Sequence, residues 1–124
     1  MAIDLPTSFS VTKKVGTEEG LEFIAPLLID GETVELAYVH TRNKVWFTDK
    51  RIIALDVQGI TGSKKEFRSF PYAKVSSFSI GTAGFLDGDS DLKIWVSGVG
   101  VFEIKFRRSL DIREVGRFLS GKTL

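Results

Sequence analysis

The stretch from Val45 to Val96 limits most tightly what this chain can fold into. Runs such as Val45-Trp46-Phe47-Thr48, Arg51-Ile52-Ile53-Ala54-Leu55 and Leu92-Lys93-Ile94-Trp95-Val96 alternate with turn residues, and no helical period interrupts them. β-Branched and aromatic residues, bounded at short intervals by Gly, Pro, Asn and Asp, spell a meandering antiparallel sheet. The rhythm fixes an architecture and supplies no catalytic constellation.

Seven strands are expected, at 32–41, 45–48, 51–57, 64–70, 75–80, 92–96 and 101–107. Arg42-Asn43 makes the first hairpin turn, because Asn tolerates positive φ. Asp49-Lys50 makes the next. Ile52 to Leu55 is apolar on both faces, as suits a strand covered on both sides. In the last strand Phe102, Ile104 and Phe106 point inward while Glu103, Lys105 and Arg107 point out. Trp46 and Trp95 each sit between apolar neighbours, so alternation turns each indole away from Val45/Phe47 or Ile94/Val96. With those pairs in the core, both indoles approach the surface and mark an oligomer interface; the competing expectation is cover by the chain's own N-terminal arm.

After residue 107 the period changes. Asp111 is the expected N-cap of a helix, with Glu114 three residues on to complete a capping box. Ile112, Val115 and Leu119 repeat at i, i+3 and i+7, joined by Phe118, with Arg113 and Arg117 on the other side. Gly121 is placed as the C′ residue. The apolar stripe has to be buried against the sheet. At the other end, residues 1–28 form a partly helical arm capped by Thr17, with Leu21, Ile24 and Leu28 on one face and Gly20 and Pro26 weakening it. Leu21 and Ile24 either pack on the parent domain, 29–122, or dock on a neighbouring subunit.

Length and charge narrow the function. A chain of 124 residues is expected to be one domain. With 17 basic and 16 acidic residues the net charge is +1, which gives no global argument for nucleic acid or an anionic membrane. Nucleic acid is not an expected partner, and a membrane lipid would need a local patch. The absence of cysteine excludes thiol catalysis, disulfides and cysteine metal sites. The first residues lack the basic and apolar regions of a secretory signal, and no run reaches the ~20 apolar residues that span a bilayer. A cytoplasmic location is the expectation.

Candidate ligand-binding residues are Arg42 and Lys44, with His40, at the first hairpin, and Lys64 and Lys65 before the fourth strand. Cations converging on one concave surface grip phosphate groups; the alternative is a solvated turn. Asp87, Asp89 and Asp91 alternate as in the opening of a calcium loop, yet Leu92 stands where such a loop needs Gly, and Gly98 where it needs Glu. A polar turn is the plainer reading, and no metal or other cofactor is called for. His40, the single histidine, has no visible catalytic partner, so no enzyme activity is expected. Gly59, Gly62, Gly81 and Gly84 punctuate turns.

Seven antiparallel strands followed by one amphipathic helix make a specific order. Phe47-Thr48-Asp49-Lys50-Arg51-Ile52-Ile53, Asp56 to Gly62, Phe70-Pro71-Tyr72, Phe78 to Gly84 and Leu92 to Gly98 together make the chain resemble the bacterial pleckstrin-homology domain proteins over about residues 29–120. Gly88 departs from the pattern. The resemblance implies a mainly β fold, a seven-stranded antiparallel barrel or sandwich capped by the C-terminal helix. It further implies a non-catalytic scaffold that self-associates into ring-like homo-oligomers and takes a protein or peptide partner. Eukaryotic relatives of the fold bind phosphoinositides or peptides, which makes an anionic-membrane adaptor the alternative function; fold alone does not transfer it.

Overall fold

In the computed structural model, which describes residues 8–82 and 88–124, the alternating segments form nine strands in two sheets. They are β1 (Ser8–Val11), β2 (Lys13–Val15), β3 (Val34–Val39), β4 (Asn43–Thr48), β5 (Arg51–Gln58), β6 (Lys64–Pro71), β7 (Val75–Gly81), β8 (Ser90–Val96) and β9 (Gly100–Phe106). Two helices accompany them, α1 (Leu21–Ile24) and α2 (Ile112–Thr123). The five-stranded sheet runs β2-β3-β4-β5-β6, and the four-stranded sheet β1-β9-β8-β7. All pairings are antiparallel except β1 with β9, which is parallel.

The N-terminal arm corrects the expectation of seven strands. It contributes β1 and β2 as well as α1 and a 3-10 turn at Ala25–Leu27. The two strands are one bent segment. The Thr12 N–H donates to the Val39 carbonyl (2.9 Å), while the Val11 carbonyl accepts from the Arg107 N–H (3.1 Å). This segment therefore ties the two sheets together along one side. On the other side β6 and β7, joined by the 3-10 turn Tyr72–Lys74, lie in different sheets. The result is a sandwich open along one seam rather than a closed barrel.

The main core fills the space between the sheets. Phe47 and Ile52 from one sheet meet Leu92, Ile94, Phe102, Ile104 and Phe106 from the other, and Ile112, Val115 and Leu119 of α2 are buried against them. The helical stripe read from the sequence is thus the face that packs. Asp111 caps α2, its carboxylate accepting from the N–H groups of Arg113 (3.1 Å) and Glu114 (3.4 Å). The expected capping box has a different partner set: the Glu114 carboxylate accepts from Lys14 (2.8 Å) and the Tyr38 hydroxyl (3.4 Å). Gly121 lies inside α2, which runs on to Thr123, so it does not end the helix.

A second, smaller core lies on the outer face of the five-stranded sheet. Ala37, Trp46, Ile53 and Leu55 are covered by Ile24, with Leu21, Phe23 and Leu28 packed around them. This explains why β5 is apolar on both faces: Ile52 and Ala54 belong to the main core, Ile53 and Leu55 to the layer under the arm. Trp46 is 0% exposed, which corrects the expectation that both indoles approach the surface. Its Nε1 donates to the Glu19 carbonyl (3.1 Å). Gly20 lies directly above it at φ 72°, where a Cβ would stand 3.0 Å from the ring. Only glycine combines that backbone with that approach.

A carboxylate clamp fixes the end of the arm. Glu32 accepts from Thr48 Oγ1 (2.7 Å), from Nε (2.9 Å) and Nη2 (3.0 Å) of Arg51, and from the Ile29 N–H (3.2 Å). Arg51 also donates to the Leu27 carbonyl (2.7 Å) and Ser69 (3.0 Å). Burial raises the Glu32 pKa, but hydrogen bonds from Arg51, Thr48 and Ile29 outweigh it and hold the group at about 2.

Candidate functional site

The sheets differ in how they are covered. The arm protects the outer face of the five-stranded sheet, whereas the outer face of the four-stranded sheet has no such layer among the described residues. Register places Ser77, Trp95 and Val101 side by side on that face, followed by Ser79, Lys93 and Glu103. Trp95 is 39% exposed, and Val99 and Val101 beside it are exposed as well. Trp95 reaches the surface because Ile94 and Val96 on either side are buried in the core. Alternation holds for both indoles: the arm covers Trp46, whereas no described element packs above Trp95.

Beside this row runs β7, the outermost strand of its sheet. Its sequence, Val75-Ser76-Ser77-Phe78-Ser79-Ile80-Gly81, contains no charge and no proline. Edge strands leave alternate N–H and C=O groups unpaired, and charge or proline is the usual protection against further pairing. The opposite edge strand β6 is protected in that way, by Lys64, Lys65, Glu66, Arg68 and Pro71. Phe78 and Ile80, half-buried on the inner side of β7, pack against the main core.

The four predicted ligand-binding cations do not converge. Arg42 donates to the Gly59 and Ile60 carbonyls and so braces the β5–β6 loop. Lys44 lies over the Phe23 ring, 5.6 Å from its centre, in a depression shared with Glu18, Glu19, Glu22 and His40. Acidic neighbours there oppose an anion. Lys65 and Lys64 project to opposite faces of their strand. His40 faces Thr12, Nδ1 to Oγ1 3.2 Å.

Of the acidic loop, Asp87 lies outside the described residues. Asp91 pairs with Lys93 at 3.8 Å, and Asp89 is exposed beside it. Among the described residues no cluster of three His, Cys, Asp or Glu side chains suits a metal. Tyr38 and Tyr72 are buried and their phenol pKa values are pushed up, by burial first and then by nearby carboxylates, so both stay protonated. Tyr72 donates to the Thr48 carbonyl (2.6 Å). Leu21 is half-buried, and Ile24 is buried beneath its own arm, which leaves Trp95 as the exposed member of the predicted interface set.

A two-sheet sandwich with one C-terminal helix across its core defines a pleckstrin-homology-like module, a fold that is typically non-catalytic. The chain belongs to the bacterial PH domain family, whose sequence model matches residues 7–123. It is 45% identical over 102 residues to the uncharacterised protein YjqA of Bacillus subtilis (strain 168), covering 81% of this chain and 82% of that one. It is 34% identical over 113 residues to the uncharacterised YozO of the same organism, covering 90% and 93%. A DUF1696 family protein with a pleckstrin-homology domain from Shewanella loihica PV-4 is structurally similar, with a TM-score of 0.82 at 32% identity over 90% of this chain and 96% of that one. A pleckstrin-homology domain from Shewanella amazonensis SB2B gives 0.72 at 33% identity, covering 89% and 90%. The matched region includes the arm from residue 7. Among the described residues no helix is long and apolar enough to cross a membrane.

Proposed function

We propose that this chain is a non-catalytic scaffold that assembles with copies of itself and binds a protein or peptide on the assembled surface. The observation that carries this reading is the uncharged edge of β7 beside the exposed row of Trp95, Val99 and Val101. A neighbouring copy that adds a strand to β7 satisfies the free backbone groups and covers the apolar row in one step. Head-to-tail use of such an edge, repeated around an axis, closes a ring. The remaining polar surface is then presented several times, which raises affinity for a partner without new contacts.

Two changes on β7 test the reading. Ser77→Lys with Ser79→Lys places charge on an exposed edge without touching the core. Light scattering on a sizing column should give an oligomer for the parent chain and a monomer for the double variant at the same micromolar concentration. Equal masses for the two proteins, or a monomeric parent, would overturn it.

A further inference from the structure

The inner face of the four-stranded sheet carries a hydroxyl where its pattern calls for an apolar side chain. Leu92, Ile94 and Val96 are the buried, inward row of β8, and Ser90 is the next inward position. It is 3% exposed. No group among the described residues hydrogen-bonds its side chain, and its hydroxyl opens into a depression of about 360 Å3. A buried polar group without a protein partner calls for a partner from outside. Thr82, just past the end of β7, follows Phe78 and Ile80 in the same alternation and lines the same depression.

The facing wall is cationic. The chain leaves β9 through a turn that the Leu110 N–H closes on the Arg107 carbonyl (2.8 Å), which puts Arg108 at its corner. Gly88 lies alongside the Arg108 side chain, where a Cβ would stand 3.9 Å from Cδ. Arg113 comes from the first turn of α2. Both arginines line the depression, and neither side chain makes an ion pair or hydrogen bond among the described residues. Asp111 is the acid in this lining, and its carboxylate is already engaged with the Arg113 and Glu114 N–H groups. The start of α2 is thereby satisfied, so attraction for an anion comes from the side chains.

The structure assigns this depression to a phosphate monoester. Hydroxyls on one wall and guanidinium forks on the other suit a tetrahedral group with three terminal oxygens better than a planar carboxylate with two. Arginine is the cation whose planar fork matches phosphate in this way. None of the four donors belongs to the β3–β4 or β5–β6 hairpins, and none lies in the exposed row of Trp95, so the site is separate from the assembly surface. The phosphate is carried by a small metabolite or by a phosphorylated side chain, and the two sources separate in the test.

Phosphorus NMR of glycerol 3-phosphate mixed with the full chain measures binding whatever the size of the assembly. The ligand signal should broaden and shift saturably at constant ionic strength. Inorganic phosphate should compete it off, and acetate at the same concentration should not. Arg108→Gln with Arg113→Gln should weaken binding by roughly tenfold or more, and Ser90→Ala by roughly fivefold. Both arginines are exposed, so the double variant should keep the parent's melting temperature without ligand, which separates lost binding from lost fold. A phosphoserine peptide that binds more tightly than glycerol 3-phosphate places the group on a protein, and the reverse order places it on a metabolite; either order supports the site. A response that never saturates, that acetate removes equally well, or that persists unchanged in the double arginine variant would overturn the proposal.

Discussion

Glu32→Gln is the perturbation whose size can be worked most fully from the structure. The Glu32 side chain is shielded from solvent and holds four hydrogen bonds, two of them from Arg51. The fall of its pKa from the ordinary 4.5 to about 2 is equivalent to about 3 kcal/mol of stability at neutral pH. Arg51 is partly exposed, so the figure is an upper estimate. The folded-state pKa lies below the unfolded one. The contribution is therefore complete above pH 4.5 and fades as pH falls toward 2, with roughly 1.5 kcal/mol left at pH 3. Paired urea titrations of the parent and Glu32→Gln at pH 7 and pH 3 measure this. The difference between the proteins should approach 3 kcal/mol at pH 7 and shrink to about half at pH 3. A difference below about 0.5 kcal/mol at pH 7, the size of an ordinary surface change, would refute the clamp. So would a difference that does not move with pH.

Gly20→Ala should cost more than about 1 kcal/mol, because it forces a Cβ onto the Trp46 ring at positive φ; thermal unfolding followed by tryptophan fluorescence measures it. Asp111→Ala should remove about 1 kcal/mol by orphaning the Arg113 and Glu114 N–H groups, read as a lower midpoint in urea. Trp95→Ser should leave the melting temperature within a few degrees of the parent while shifting the assembly toward monomer on a sizing column, since this indole lies outside the core.

Local alternation carried the fold far. β4 to β9 fall within two residues of the positions the sequence predicts: β8 and β9 show the period of two directly, while β4 and β5, buried on both faces, show as apolar runs between turn residues. The Ser8-Phe9-Ser10-Val11 run held the same signal, yet a parallel pairing with β9, about a hundred residues away, leaves no mark in local pattern. Trp46 and Trp95 have similar sequence neighbours and opposite fates. What separates them is Gly20 and Glu19 arriving above Trp46 from a distant segment. The Glu32–Arg51 clamp was hidden for the same reason, since nothing in either strand names the partner. Arg42 looked like a ligand-binding cation by residue type. Only the neighbouring hairpin reveals that its donors brace a turn. The uncharged edge of β7 was legible as composition, while its place at the rim of the sheet needed the strand order.

Mass in solution bears most directly on the assembly account. Multi-angle light scattering across a sizing column, with the chain at tens of micromolar, should return an integral multiple of the single-chain mass that collapses to one chain in Ser77→Lys, Ser79→Lys. A parent protein that elutes with the mass of one chain throughout that range contradicts it.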